Sequence, residues 1–230
     1  MAAVTIIVPV KDEEVGLEYL VEDYNKSNLK EYYEVNFIFV IDIRTSDSSK
    51  LLASKLSDEI IDQNDSTGKG AAVRQAVNFW KKEGTNSMVV FLDADGSYSF
   101  DSVLAVLRIL EQEADVVSGS RFISSKGRPE GMSRLHNFGN RALSAISSFR
   151  NRRRISDLCT GLWGFRGEVL SNLDIKSNGF DLEAEIAGLV RRNGLIHSEV
   201  SVDWSQRKGG TSKLRSLSDG FIIFLRIIRT

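Results

Sequence analysis

Cysteine is nearly absent from this 230-residue chain: Cys159 stands alone, so no internal disulfide can form and a reducing compartment fits. Histidine is almost as scarce, with His136 and His197. One Cys and two His give little support to a structural zinc site or a Cys–His nucleophile pair. Long apolar runs are missing too. The longest, 221–225 extended through Ile227 and Ile228, falls far short of the roughly 20 residues that cross a bilayer. It reads instead as an interfacial amphipathic helix with Arg226 and Arg229 on its polar side. The N-terminus has no signal-peptide pattern, because Met1-Ala-Ala runs directly into strand-like residues 4–10. Excess charge is absent: 30 Lys and Arg against 31 Asp and Glu leave a net −1, which suggests no nucleic-acid partner. Glycine is missing where dinucleotide-binding chains need it, since Lys11-Asp-Glu-Glu14 follows the first strand. The basic glycine-rich loop that sugar nucleotidyltransferases carry there is absent as well. A Walker loop fails at Gly70, where Ser or Thr is required after Gly68-Lys69.

What the chain does have is alternation. Apolar strand-like runs at 4–10, 35–42, 59–62, 88–92 and 115–120 are separated by helix-like segments at 14–26, 48–56, 71–82 and 100–112, the last capped by Ser99 or Asp101. That order predicts an α/β fold with a mostly parallel sheet covered by helices on both faces. After Arg121 the pattern changes. A loop at 122–133 precedes a helix at 134–149, a short strand at 160–165, a helix at 180–192 and a strand at 197–204. A flexible segment, 206–213, leads to a final helix. We read one domain over 1–215, with a nucleotide-binding half at 1–120 and an acceptor half at 121–215. Residues 216–230 form a C-terminal amphipathic helix suited to a membrane surface.

Acids gather at the strand ends. The strand at 88–92 ends in Asp93-Ala-Asp95, and Glu13 and Asp42 follow two earlier strands. In a parallel sheet, ligands bind beyond the carboxyl ends of the strands. Carboxylates there can hold a hard divalent cation, or they can be solvated acids of a strand-to-helix turn. Four acids at one sheet edge repel unless a cation or ligand hydroxyls sit among them. Bases appear later, at Arg121, Arg134, Arg207 and Lys213. An acid-rich half and a base-rich half suit a metal-bound sugar nucleotide meeting an anionic acceptor, although any one of these arginines could equally be a surface salt bridge. The cluster Arg150-Asn-Arg-Arg-Arg154 is a solvated loop or a patch for an anionic membrane surface.

In order and spacing these blocks resemble the family 2 glycosyltransferases with an A-type, Rossmann-like fold, and more closely the polyprenyl (dolichyl) phosphate sugar synthases. Thr5-Ile-Ile-Val-Pro-Val-Lys-Asp-Glu-Glu14 is similar to the family's opening strand and nucleotide turn, and Thr67-Gly-Lys-Gly-Ala-Ala-Val-Arg74 to its Gly-rich helix start. Asp93-Ala-Asp95 resembles its metal motif. Residues 115–122, 155–166, 179–185 and 207–213 resemble its later blocks. The chain departs from the family after Asp42, where Ile43-Arg-Thr-Ser46 replaces a second Asp and a Gly-Ser turn.

The resemblance implies metal-dependent, inverting transfer of a hexose from a nucleotide sugar of the GDP-mannose or UDP-glucose type to a polyprenyl phosphate. It assigns nucleotide contacts to Pro9, Val10, Glu13, Asp42, Lys69, Asp93 and Ala94. It assigns Mg²⁺ or Mn²⁺ to Asp93, Asp95 and Ser97, with Asp95 the principal ligand. Arg121, Arg134 and Arg207 would offset repulsion between the acceptor phosphate and the diphosphate, with Lys213 beside them in the catalytic set; Asp157 would orient these arginines or the sugar, a base role being the weaker option, and Gly209-Gly210 would hinge the Arg207 loop. The location this implies is the cytoplasmic membrane face, with peripheral attachment. Two other readings are a glycosyltransferase with a hydroxyl acceptor and a non-catalytic nucleotide-sugar-binding module.

Overall fold

The structure is a computed structural model that describes residues 1–57, 59–64, 67–83, 87–112, 114–124, 127–209, 213 and 217–230. In chain order its elements are β1 (Ala2–Val10), α1 (Glu14–Lys26), α2 (Leu29–Tyr32), β2 (Tyr33–Asp42), α3 (Ser49–Ala53), β3 (Ile60–Gln63), α4 (Lys69–Glu83) and β4 (Met88–Leu92). These are followed by α5 (Phe100–Gln112), β5 (Val116–Ser120), α6 (Arg134–Asn151), β6 (Leu162–Phe165), α7 (Gly167–Asn172), α8 (Leu182–Arg192), β7 (His197–Ser201) and α9 (Ser218–Arg229).

One seven-stranded sheet among the described residues runs β3-β2-β1-β4-β6-β5-β7. β1 pairs in parallel with β2 and β4, in register Val10↔Ile41 and Ile7↔Phe91. β6 alone is antiparallel, wedged between β4 and β5. The order reverses at β1, so the crevice at the carboxyl ends of β1, β2 and β4 is where such a sheet binds its ligand.

The unbroken apolar run of β1 has its cause in this position. Val4, Ile6, Ile7 and Val8 are fully buried because both faces are covered. On one face Val4, Ile6, Val8 and Val10 pack with Leu17 and Leu20 of α1 and Val103 and Leu107 of α5. On the other, Ile7 packs with Val73, Ala76 and Trp80 of α4 and Ile186 of α8. Each buried aliphatic side chain contributes about 1.5–3 kcal/mol. The sheet therefore holds the acid-bearing turns on a rigid edge.

The expected elements are present, with differences at their ends. The helix expected at 48–56 is shortened to Ser49–Ala53. α8 begins at Leu182 rather than at 180, and the 197–204 strand stops at Ser201, with only a bridge from Trp204 to Tyr98 beyond it. The short helix α7 was not foreseen. Of the two candidate caps of α5, the Ser99 hydroxyl accepts from the Ser102 amide at 3.3 Å. Gly210, half of the expected hinge, lies outside the described residues, as do Asp65 and Ser66 of the loop before α4, Thr211 and Ser212, and the boundary expected at 215/216.

Candidate active site

Three strand ends deliver the acids. Asp42 is the last residue of β2, Asp93 follows β4 directly, and Glu13 starts the turn into α1. The Glu13 amide donates to Ser49 Oγ at 2.8 Å, which leaves its carboxylate facing the crevice. There it receives Arg207 Nη1 at 2.5 and 2.7 Å and Lys213 Nζ at 2.7 Å. Asp42 is clasped by Arg44, with Nε at 2.8 Å and Nη2 at 2.5 Å, and Lys11 lies 3.8 Å away. The Arg44 hydrogen bonds hold the Asp42 carboxyl down at about 2. The residue that breaks the family pattern after Asp42 is thus the one that occupies it.

The Asp93–Asp95 turn is set by backbone. Gly96 takes φ +69°, which favours glycine, and the Ser97 amide donates to Asp95 Oδ1 at 3.0 Å. The Lys208 amide donates to the Asp95 carbonyl at 3.1 Å and the Ser205 amide to that of Ser97 at 3.0 Å. This brings Arg207 Nη2 to 3.2 Å from Asp95 Oδ2. Beside it, Lys69 Nζ lies 2.7 Å from both Asp93 Oδ1 and Glu183 Oε1. Burial works against the Lys69 ammonium, yet the two carboxylates outweigh it and raise its pKa. Burial pushes Glu183 upward while Lys69 pulls it back. Gly161 leaves room for Asp93, since a Cβ there would lie 1.9 Å from Asp93 Oδ2.

A second network lies deeper. Asp157 is fully buried and accepts from Arg121 Nε at 2.6 Å, Arg121 Nη2 at 2.7 Å, the Arg121 amide at 3.0 Å and Asn140 Nδ2 at 2.6 Å. Glu199 holds this loop from β7, accepting from the amides of Ser156 at 2.8 Å and Asp157 at 3.3 Å. With its carboxylate filled by four donors, Asp157 orients Arg121 and is not free to act as a base.

Two cavities meet at these groups. A smaller one of about 280 Å³ is lined by Pro9, Val10, Glu13, Asp42, Asp93, Ala94 and Asp95, together with Lys69, Arg207 and Lys213. A larger one of about 630 Å³ has Ser97, Tyr98, Arg121 and Asn140 in its wall, and Met132, Leu135, Leu143 and Ile223 as apolar lining. Lys69, Asp93, Asp95, Phe180 and Arg207 border both. All the residues expected to touch nucleotide thus share one cavity. Ser97 faces the other. Arg134 is exposed in the first turn of α6 and borders neither, although its neighbours Ser133 and Leu135 do.

The sequence reading missed Glu183, Asn140 and Arg44. Glu183 and Asn140 lie on helices whose inward faces are known only once packed. An acid two residues before an arginine at a strand end was the available signal for Arg44.

The expected donors are oxygens throughout, two carboxylates and the Ser97 hydroxyl, which suits a hard cation. Among the described residues no group of three or more His, Cys, Asp or Glu side chains could hold a metal by itself. Asp93 and Asp95 offer two carboxylates, held here by Lys69 at 2.7 Å and Arg207 at 3.2 Å, and an ion on them would take its other ligands from a diphosphate and water.

Residues 5–174 match the family model for glycosyl transferase family 2. Glycosyltransferase AglJ of Haloferax volcanii is 29% identical over 228 residues, covering 99% of this chain and 71% of that protein. A dolichyl-phosphate hexose transferase of the same organism is 30% identical over 185 residues, covering 80% and 77%. The polyprenol monophosphomannose synthase of Mycolicibacterium smegmatis is 26% identical over 190 residues, covering 77% and 69%. Glucosyl-3-phosphoglycerate synthase from Mycobacterium tuberculosis shares the fold, with a TM-score of 0.74 at 15% identity over 99% of this chain and 79% of that one. Further structures of that enzyme are complexes with Mn²⁺ and UDP-glucose or with Mg²⁺ and UDP. With the match spanning most of its length, the chain belongs to glycosyl transferase family 2 and is a glycosyltransferase.

Proposed function

We propose that this chain transfers a hexose from a nucleotide sugar of the GDP-mannose or UDP-glucose type to a polyprenyl phosphate at the cytoplasmic face of a membrane, with inversion at the anomeric carbon. One observation carries the reading: a smaller cavity lined by acids and bases together and a larger one with an apolar wall share Lys69, Asp93, Asp95 and Arg207 at their junction. A nucleoside diphosphate suits the first. The second pairs a half-buried arginine, Arg121, with the side chains of Met132, Leu135, Leu143 and Ile223, which suits an anionic head on an isoprenoid tail. The names of the dolichyl-phosphate and polyprenol relatives agree with this acceptor class.

The chemistry asks little of a base. An acceptor phosphate is already anionic at neutral pH, so its oxygen can attack the anomeric carbon as the diphosphate leaves from the opposite side. A hydroxyl acceptor would need a free carboxylate. Of the acids lining the larger cavity, Asp93 and Asp95 are those a cation would take, and Glu183 is paired with Lys69 at 2.7 Å. Arg121 would hold the acceptor phosphate, kept in place by Asp157 and Asn140. Lys69 and Arg207 would draw two phosphates toward one point despite their repulsion. A divalent cation on Asp95 and Asp93 would stabilise charge on the leaving diphosphate when bound.

The test is a panel of nucleotide sugars offered to a polyprenyl phosphate and to soluble sugars, with Mn²⁺ and with chelator. A glycosyl polyprenyl phosphate formed only with metal is expected. Asp95→Ala should abolish it while the protein stays folded, and Arg207→Ala should reduce transfer more than nucleotide binding. Turnover with soluble hydroxyl acceptors and none with the lipid would overturn the proposal.

A further inference from the structure

Helix α9 turns Arg226 inward, away from the polar side on which its sequence set it. Arg226 Nε donates to Asp181 Oδ2 at 2.6 Å, Nη2 lies 2.6 Å from the same oxygen, and Nη1 reaches Glu185 Oε1 at 3.5 Å. The side chains of Asp181 and Glu185 are buried, at 7% and 3% exposure, so two carboxylates of α8 and its cap share one guanidinium. Apolar contacts seat the helix around this fork. Ile223 and Ile227 pack with Leu143 and Ile146 of α6 and with Ala184 and Ala187 of α8. The polar stripe of α6, Asn140, Ser144, Ser147 and Asn151, is turned elsewhere, to the 155–159 loop. There Ser144 Oγ accepts from the Leu158 amide at 2.9 Å and Asn140 Oδ1 from the Cys159 amide at 3.2 Å.

The two acids reach past α8. Asp181 Oδ1 accepts from Ser177 Oγ at 2.5 Å, and Glu185 Oε2 accepts from the amides of Lys176 at 2.9 Å and Ser177 at 2.7 Å. They thus hold the segment 176–179, against which α4 starts. The Gly70 amide donates to the Gly179 carbonyl at 3.2 Å and the Ala71 amide to that of Asn178 at 3.1 Å. These are first-turn amides of α4, which have no partner inside the helix. The approach is close. A Cβ on Gly68 would lie 2.4 Å from the Asn178 carbonyl oxygen, and one on Gly70 2.7 Å from that of Ser177. Lys69 stands between these two glycines, and Phe180 between Gly179 and Asp181. Both residues border both cavities, whereas Arg226 borders neither.

We propose that Arg226 is a positioning residue for the donor site. From α9 it fixes Asp181 and Glu185, through them the 176–179 segment, and so the place of Lys69 and Phe180 at the junction of the two cavities. The links after Arg226 are hydrogen bonds of 3.2 Å or less, and the last of them tie down the helix start that carries Lys69. α9 also lends Leu217, Gly220 and Ile223 to the wall of the larger cavity. One helix therefore touches the larger cavity and, through Arg226, sets the lysine of the smaller one. The proposal rests on the smaller cavity taking a nucleoside diphosphate, and it is independent of the acceptor.

Arg226→Ala would orphan two buried carboxylates, so the test uses Arg226→Lys, which keeps the charge and loses the fork. Amide hydrogen exchange of the full chain, free of ligand, is the first readout. The Gly70 and Ala71 amides should exchange about tenfold faster in the variant, with β1 unchanged. Asp181→Asn, which cuts the same fork from the other end, should do the same. The second readout is calorimetric binding of UDP and of GDP with Mn²⁺. Arg226→Lys should raise Kd about fivefold in the wild-type background. It should raise Kd less than about twofold in a Lys69→Met/Glu183→Gln background, where the lysine it positions is gone. A fork that served stability alone would act equally in both backgrounds. Equal effects in the two, unchanged exchange at 70 and 71 in both fork variants, or faster exchange throughout the sheet would each overturn the proposal. A wild-type chain that binds neither nucleotide would refute the donor reading, while the exchange rates would still decide the role of Arg226.

Discussion

Replacing Lys69 with Met keeps the length of the side chain and deletes one charge between two carboxylates. Glu183 suffers most, because its side chain is 9% exposed, against 30% for Asp93, which water can reach. Breaking a buried pair by removing one partner costs about 3–5 kcal/mol. The partial exposure of Asp93 favours the lower end, about 3 kcal/mol. For a chain of this size that is a fall in Tm of roughly 6–12 °C near neutral pH. The sign of the pH dependence follows from Glu183. Its folded-state pKa is raised above 4.5 by burial and rises further without Lys69. Stability from a raised carboxyl is present below the unfolded value and is lost as pH climbs through the folded one. Scanning calorimetry should therefore find a larger deficit at pH 8 than at pH 5. Adding Glu183→Gln to Lys69→Met should recover most of the loss, as it removes the orphaned charge. Equal deficits at both pH values, or no recovery in the double variant, would refute this account of the site.

Gly161→Ala pushes a Cβ against Asp93 Oδ2, a movable group, so the stability cost should be about 1 kcal/mol while kcat/KM falls about tenfold or more; unchanged kinetics would separate Asp93 from the reaction. Arg44→Ala should lower the Tm slightly at neutral pH, since the Arg44 side chain is half-exposed and its pairing with Asp42 is screened. Asp42 contributes stability above 3.8 that is lost as pH falls toward about 2, so the deficit followed by circular dichroism should shrink across that window, and a deficit that grows with acid would refute the pairing. His197 is pushed down to about 4, by burial and then by Arg153, and its ring meets Ser118 Oγ at 2.9 Å. Its contribution is present above 6.5 and lost as pH falls toward 4, up to about 3 kcal/mol. His197→Gln should flatten denaturant-derived stability in that window, and an unaltered slope would count against the assignment.

Much of the donor side was legible because it is local. An apolar strand that ends in Asp-Ala-Asp-Gly states both the strand and the turn, and the strand ends of a parallel sheet converge without further information. The acceptor side was legible only as helices and arginines. That β6 runs antiparallel depends on β4 and β5, which lie some 70 and 45 residues earlier. α6 reads as a helix from its sequence, yet which of its two faces turns inward is decided by the 155–159 loop, whose amides need the polar stripe. Arg121 was expected either to meet a phosphate or to form a salt bridge, and Asp157 to orient the arginines or the sugar. The structure pairs the two directly, Arg121 Nε lying 2.6 Å from Asp157 Oδ2. Arg134 was grouped with them on charge alone, and its exposure at the start of α6 is a matter of helix phase.

The position of β6 has a consequence for how the chain is made. β5 pairs with β6 and β7, and among the described residues it has no earlier strand as a neighbour. The first 120 residues carry Glu13, Asp42, Asp93 and Asp95, yet as they leave the ribosome β4 keeps one edge bare and β5 has nothing to join. The sheet can close only when residues 162–165 emerge. Until then the open edge of β4 is a template for pairing with another nascent chain. Synthesis that pauses before residue 165 is thus the period of greatest aggregation hazard, because the acid-bearing half lacks the strand that joins β4 to β5.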